Sequence, residues 1–150
     1  MRTRGSRHHH PDDSTGLVLW QVTNGWQAAQ RAVLVPLGLT HAQFVALASI
    51  TTLTDAEERV NQSRVNEYAR LDPTMGSQVV RALESKGLIV RQRDSADRRA
   101  RLLSPTESGR RLAAAAIRVV EGVDDRFFEA IADDRREFTR HLVSIRDATR

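Results

Sequence analysis

The residues best equipped for chemistry lie in one stretch, DPTMGSQVVRALESKGLIVRQRDSADRRARLLSPTESG, running from Asp72 to Gly109. Asp72 can accept amide hydrogens at a helix start. Pro73 suits the first helical position, where no donor is needed, and Gly87 can take the left-handed conformation that ends a helix. Between these marks Val79, Val80 and Leu83 form an apolar stripe, so Thr74, Ser77, Gln78 and Arg81 face outward. Such groups can hydrogen-bond base edges: Gln78 matches adenine, Arg81 matches guanine or a phosphate, and the small hydroxyls suit phosphates or bases. An ordinary solvated helix face would carry the same residue types, so the composition of this face is only half of the argument.

The other half is charge. From Lys86 to Arg101 the chain sets Lys86, Arg91, Arg93, Arg98, Arg99 and Arg101 against only Asp94 and Asp97, a local excess of four positive charges that equals the formal net charge of the whole chain, +4. A cationic projection beside a polar helix face suits a polyanion whose phosphates it can approach from one side, releasing condensed counterions. Nucleic acid is the natural partner. A salt-bridged hairpin that binds nothing is the competing reading of a basic run of this length.

The motifs in this stretch resemble the winged helix-turn-helix of the multiple-antibiotic-resistance regulator (MarR) family. The family pattern is a helix ending in L-E-x-x-G-L-[IV], a turn containing D-x-x-D-R-R-A and a T-x-x-G helix start. It is matched here by Leu83-Glu84-Ser85-Lys86-Gly87-Leu88-Ile89, by Asp94-Ser95-Ala96-Asp97-Arg98-Arg99-Ala100 and by Thr106-Glu107-Ser108-Gly109. The similarity extends more loosely from about Leu39 to the C-terminus. It implies that an arginine of D-R-R-A enters a minor groove, which assigns Arg98 or Arg99 to that role and Asp97 to orienting it. Pro105 is a departure, because the family usually places an apolar strand-end residue such as leucine there. The next helix could then start from a Ser104/Glu107 capping box or from a Thr106 cap.

The elements that must position these residues can be read along the chain. Leu19, Val22, Trp26, Ala29 and Val33 recur at helical spacing over about 17–35, before Pro36 and Gly38. Thr40 and Gln43 form a capping box for a helix with Phe44, Leu47 and Ala48 that ends near Leu53, and Thr54 to Arg59 is a polar, acidic connection. Asn61 caps a short helix through Arg70 that carries Val65 and Tyr68 or Ala69, and a tight turn leads to the Asp72 helix. These two helices are the helix-turn-helix. Leu88 to Arg93 and Arg99 to Leu103 read as two strands around an Asp94 to Asp97 turn, with a third, very short strand possible around Val60. A helix of roughly seven turns is expected from Thr106 to Ala132, and a last helix runs from about Asp134 to the end.

The expected fold is mainly α with a small antiparallel β-wing, a winged helix-turn-helix head plus N- and C-terminal dimerisation helices. Residues 1–16 would be a flexible tail and residues 17–150 a single domain, with dimerisation helices at about 17–35 and 106–150 and the winged head at about 40–105. The two terminal regions carry apolar stripes that so small a head cannot bury alone, at about 25 cal/mol for each square ångström left wet. Leu19, Val22, Trp26, Leu112, Phe127, Phe128, Phe138 and Leu142 are candidates for core or for interface. A homodimer on a two-fold axis would place two heads roughly 34 to 36 Å apart, the spacing of palindromic half-sites on double-stranded DNA.

On this reading Thr74, Ser77, Gln78 and Arg81 face bases, Arg98 and Arg99 straddle or enter a minor groove, and Arg91, Arg93 and Arg101 contact backbone. Asn61, Gln62, Ser63 and Arg64 at the preceding helix start would hold phosphate. The family resemblance further implies a repressor that leaves DNA when a small, often aromatic or anionic effector binds between dimer helices and head. Trp20, Trp26, His41 and Phe44 are candidates to line that site, although packed tryptophans and a surface histidine explain the same residues.

Other classes are disfavoured. The 150 residues, 40% hydrophobic, suffice for one core. Zero cysteines exclude disulfides, thiolate metal sites and thiol redox sensing. Twenty-two arginines against one lysine give the planar fork that suits guanine and phosphate, a bias that genomic base composition would also produce. Arg118 and Glu121 interrupt the best apolar run, Leu112 to Val123, so no membrane span is expected. The N-terminus has no secretory apolar core, which makes the cytoplasm the expected compartment. His8 to His10 receive no function, and no cofactor or metal is implied. Asp124, Asp125, Asp133 and Asp134 with His141 raise an enzymatic reading. No HExxH, glycine-rich phosphate loop or nucleophile elbow accompanies them, and Arg126, Arg135 and Arg136 interleave as on a solvated face. A protein-binding adaptor with a winged head is the remaining alternative.

Overall fold

The computed structural model describes residue 5 and residues 9–149 except residue 57. His8, part of the histidine tract, lies outside the described residues, as do residues 1–4, 6 and 7 of the expected tail. Six α-helices and one two-stranded sheet follow in the order α1 (Thr15–Leu34), α2 (His41–Asp55), α3 (Gln62–Ala69), α4 (Pro73–Ser85), β1 (Ile89–Arg93), β2 (Arg101–Pro105), α5 (Glu107–Phe127) and α6 (Arg135–Ala148). No single helix among the described residues is long and apolar enough to cross a membrane.

Local chemistry sets the boundaries. Ser14 caps α1 two residues earlier than the apolar spacing suggests, with its side chain accepting the Leu17 amide. A single 3-10 turn at Val35–Leu37 and a left-handed Gly38 (φ 71°) then redirect the chain. Thr40 and Gln43 make the reciprocal capping box of α2. That helix runs on to Asp55, so Thr54 and Asp55 belong to it rather than to the connection. Asn61 caps α3 through the Arg64 amide, and Asp72 caps α4 through the Met75 amide with Pro73 at its first position. Arg70 ends α3 in the left-handed region at φ 55°, the one non-glycine among the described residues to do so. Its place is the tight turn of the helix-turn-helix.

The core lies where the head's elements converge. Leu34, Leu47, Ile50, Leu53, Val65, Val80, Leu83 and Ile89 are almost completely enclosed, and Ala113 and Ala116 of α5 close the same cluster. Two glycines permit the closest approaches. A Cβ on Gly76 would sit 1.8 Å from Asn66 Oδ1, and one on Gly109 would sit 1.9 Å from the Leu88 carbonyl oxygen. Small residues therefore let α4 lie against α3 and let α5 start against the root of the wing.

Three expectations need correction. The sheet has two strands, paired antiparallel with Ile89 opposite Pro105 and Arg93 opposite Arg101. Around Val60 a single hydrogen bond, from the Leu103 amide to the Val60 carbonyl at 2.7 Å, replaces the proposed third strand. The second strand is shifted from Arg99–Leu103 to Arg101–Pro105 because the turn is longer. Asp94 donates its amide to the Ala100 carbonyl, and Ala100 donates to the Asp97 carbonyl, so residues 94–100 form a hydrogen-bonded loop. Thr106, not Ser104, caps the following helix, accepting the Gly109 amide at 3.0 Å. Pro105 thus ends the strand, where its missing donor costs nothing.

The third correction concerns length. α5 stops at Phe127, after 21 residues or roughly six turns. A 3-10 segment, Glu129–Asp134, follows, with Ile131 at φ −124° outside helical geometry, before α6 begins. No glycine or proline marks that break. Edge-to-face contact of Phe127 with Phe128 and the Arg135 guanidinium 5.6 Å over the Phe128 ring hold the corner, and Arg135 also bonds Asp125 at 2.7 Å.

Candidate nucleic-acid interface

α4 presents two faces of opposite character. Gly76, Val79, Val80 and Leu83 are buried, while Thr74, Gln78 and Arg81 are exposed and Ser77 is half-buried. Gln78 makes no side-chain hydrogen bond among the described residues, so its amide is available to an outside partner. Arg81 instead folds back on its own helix, with Nε donating to the Ser77 carbonyl at 3.3 Å and Nη2 to Ser77 Oγ at 3.1 Å. These are weak, solvent-facing contacts that a phosphate or a guanine could displace.

The six cations of the wing region divide into two groups. Lys86 and Arg91 are structural: Lys86 Nζ donates to the Gly38 carbonyl at 2.6 Å and to Gln43 Oε1 at 2.8 Å, and Arg91 Nε meets Glu84 Oε2 at 2.9 Å. They tie the end of α4 to the turn before α2 and the first strand to α4. Arg93, Arg98, Arg99 and Arg101 are exposed and make no side-chain ion pair or hydrogen bond among the described residues. Their guanidinium groups form a cationic ribbon that lacks internal compensation. Asp97 lies between them, and its carboxylate accepts the Arg99 backbone amide at 2.9 Å. It fixes the turn that aims the arginines; no bond to either guanidinium is present.

The start of α3 is more committed than its sequence suggests. Asn61 spends its side-chain oxygen on the Arg64 amide at 2.8 Å. Arg64 grips Glu58 in two bonds, at 2.7 and 3.3 Å, and lies 5.6 Å over the Tyr68 ring. The bond to Arg64 holds the Glu58 carboxyl below the usual glutamate range and raises the arginine in turn. Gln62 is half-buried and Ser63 is exposed, and neither has a side-chain partner among the described residues. Behind them the Arg59 guanidinium pairs with Asp94, whose carboxyl is held below the usual aspartate range by that bond and by the Ala96 amide at 2.8 Å.

A second feature lies between the first helix and the head. A cavity of about 550 Å³ is lined by Gln27, Arg31 and Val35 at the end of α1, by Leu39 to Ala42 and Val45 at the start of α2, and by Ala69, Leu71 and Met75 around the helix-turn-helix turn. Of the four residues expected at such a site, His41 lines it. Trp26 packs edge-on against His41 with ring centres 5.1 Å apart, and Phe44 stacks at 6.5 Å, so both support the wall without forming it. Trp20 is not brought there: it is 67% exposed on α1. Burial pushes the His41 pKa down, the Asp124 charge partly offsets this, and Arg31 adds to the lowering. Arg31, on the last turn of α1 and without an ion-pair partner among the described residues, was not singled out by spacing, because one arginine in an arginine-rich chain carries no signal.

Two of the acids weighed for an enzymatic site, Asp124 and Asp125, have structural partners. Asp124 Oδ1 accepts both Trp26 Nε1–H and Gln30 Nε2–H at 2.7 Å, pinning α1 to α5. Asp125 takes Arg135. Among the described residues no three His, Asp or Glu side chains are arranged to hold a metal.

Comparison with known proteins matches this geometry. The MarR family model matches residues 39–100, which span α2 through the wing turn. The chain is 39% identical over 125 residues to the uncharacterized HTH-type transcriptional regulator YdcH of Bacillus subtilis strain 168, covering 83% of this chain and 85% of that protein. Among solved structures it resembles CouR of Rhodococcus jostii RHA1 bound to p-coumaroyl-CoA, with 33% identity, a TM-score of 0.77 and coverage of 91% and 93% of the two chains. It also resembles the transcriptional repressor CouR bound to a 23-mer DNA duplex, at 27% identity, a TM-score of 0.76 and coverage of 89% and 92%. With caps, wing and helix-turn-helix in place, the chain belongs to the MarR family of winged helix-turn-helix transcriptional regulators.

Proposed function

We propose that the chain is a dimeric, sequence-specific repressor that binds a palindromic operator in double-stranded DNA and acts in the cytoplasm as a regulator, not a catalyst. The observation that carries this reading is the set of uncompensated arginines, Arg93, Arg98, Arg99 and Arg101, on a projection joined by a three-residue turn to a helix whose exposed face carries Thr74 and Gln78. Gln78 enters the major groove and reads adenine, with Arg81 released from Ser77 to guanine or phosphate. Arg98 and Arg99 follow a minor groove, Asp97 sets their turn, and Arg93 and Arg101 add backbone attraction, while Arg91 stays paired with Glu84. Gln62 and Ser63, through their side chains and backbone amides, hold a phosphate at the α3 start.

The division of labour follows the chain. Residues 40–105 read DNA, while helices within 17–35 and 106–150 dimerise. The cavity against Arg31 and His41 receives a small-molecule effector, and CouR's capture of p-coumaroyl-CoA supports an effector at this fold. Such a ligand releases DNA only if it favours a dimer geometry that DNA does not, so the two antagonise each other reciprocally.

Selection of duplexes from a random-sequence library by the purified dimer, followed by fluorescence anisotropy at physiological salt, tests the proposal. The selected pool should converge on an inverted repeat with half-sites about one helical turn apart. Gln78→Ala should lose about tenfold in affinity and relax the preference at one position in each half-site. A pool without convergence would overturn sequence-specific binding.

A further inference from the structure

We propose that Asp94 and Arg59 form a latch that sets the angle of the wing to the reading helix, which makes Asp94 a positioning residue for operator recognition. The inference rests on the DNA-binding reading above. Asp94 is the one buried charged residue among those described, at 6% exposure, in a segment where its neighbours from Ser95 to Arg99 are all exposed. A carboxylate is kept in such a place only when it is paired. One oxygen of Asp94 accepts the Ala96 amide at 2.8 Å and closes the turn, while the other meets the Arg59 guanidinium.

Arg59 is not part of the wing. It lies between α2 and α3, and its neighbours on both sides are also engaged. The Val60 carbonyl accepts the Leu103 amide of β2 at 2.7 Å, and Glu58 clamps Arg64 on α3. The three residues 58–60 therefore hold the helix-turn-helix on one side, the second strand in the middle and the wing turn at its base. Beyond Asp94 the arginine side chains of the tip make no hydrogen bond or ion pair among the described residues. A two-stranded ribbon alone is marginally stable in water, so the direction of these arginines depends on what braces its base.

Charge alone predicts the opposite outcome, which makes the latch testable by sign. Asp94→Asn adds one positive charge to each subunit and keeps an acceptor for Ala96, so a purely electrostatic wing would bind any duplex more tightly. The latch predicts that affinity for a duplex selected by the unaltered protein falls about tenfold while affinity for poly(dI-dC) holds or rises. Arg59→Lys keeps the pairing and should retain most of the specific affinity. Amide hydrogen exchange gives a readout independent of DNA. In Asp94→Asn the Ala96 and Leu103 amides should exchange faster, while those of Val80 and Leu83 in the core stay protected.

Unchanged or tighter specific binding by Asp94→Asn would overturn the latch, as would equal losses on both duplexes. Loss of core protection in Asp94→Asn would also overturn it, since the residue would then be supporting the fold rather than aiming the wing. Failure of the unaltered protein to prefer its selected duplex would instead overturn the DNA-binding reading, and the purpose of the latch with it.

Discussion

The winged head and the terminal arms of this chain are built to different standards of closure. In the head, apolar side chains from α2, α3, α4 and the sheet interlock with almost no exposure, closed by Leu34 of α1 and Ala113 and Ala116 of α5, and each of the three helix starts carries a side-chain cap. In the arms, α6 buries no residue, and α1 buries only Gln30 and Leu34 of its twenty. Leu19 is 52% exposed and Ile145 is 61% exposed, together with Trp20 and Leu142. An amphipathic helix without a partner for its apolar face leaves stabilisation unused, and a second copy can supply that partner. The head is therefore closed within one chain, whereas the arms keep apolar faces that the proposed dimer would cover.

Separating the two regions by mutation should give the largest effect. Charges placed on the arms by Leu19→Glu with Ile145→Glu should shift sedimentation from dimer to monomer and weaken operator binding on the order of 100-fold, because two linked half-sites become independent. The helical circular dichroism of the head should survive. If the double variant stays dimeric, the arms associate through another face.

Where α5 of the arm meets the wing root of the head, a smaller effect is expected from Gly109→Ala. The new methyl would press on the Leu88 backbone carbonyl, which also accepts the Thr106 amide at 3.0 Å. A backbone atom cannot rotate away, so urea denaturation should report a loss of about 1–3 kcal/mol. A neutral result would mean that α5 can slide on the wing root and that the head is less tightly packed than its burial implies.

The smallest effect should come from pH at the junction of the regions. Burial depresses the His41 pKa, so the folded protein resists taking up the proton that the unfolded chain accepts. The stability contributed by neutral His41 is complete above the unfolded value near 6.5 and is lost as pH falls toward the depressed folded value. A shallow decline in denaturation midpoint below pH 6.5 should appear and should flatten in His41→Gln. An identical slope in the variant would place the titration elsewhere.

The two regions also differed in how far the sequence revealed them. The head is written in local signals: Thr40 with Gln43, Asn61, Asp72 with Pro73, left-handed Gly87 and Thr106 each act on backbone groups within three residues. Such signals survive without tertiary context. The break between α5 and α6 carries none of them, since EAIADD contains no glycine or proline and is stopped by packing of Phe127, Phe128 and Arg135.

Contacts between distant residues were equally hidden. Asp94 read as one of two acids diluting a basic run, yet it meets Arg59 across 35 positions. Trp26 and Gln30 meet Asp124 across more than ninety. The cavity draws on four helices, α1 to α4, so only His41 among its lining residues was anticipated. The first wing strand was legible to within one residue and the second was displaced by two, because the turn between them is held by Asp94 and Asp97 rather than by a short hairpin motif.

The central claim is that uncompensated wing arginines grip DNA beside the reading helix, and the most direct measurement is the salt dependence of duplex binding with and without them. For Arg98→Ala with Arg99→Ala, affinity should fall on all duplexes, and the slope of log affinity against log salt should flatten by roughly one unit for each arginine removed from phosphate contact. A slope identical to that of the unaltered protein would contradict the account and remove the wing from the interface.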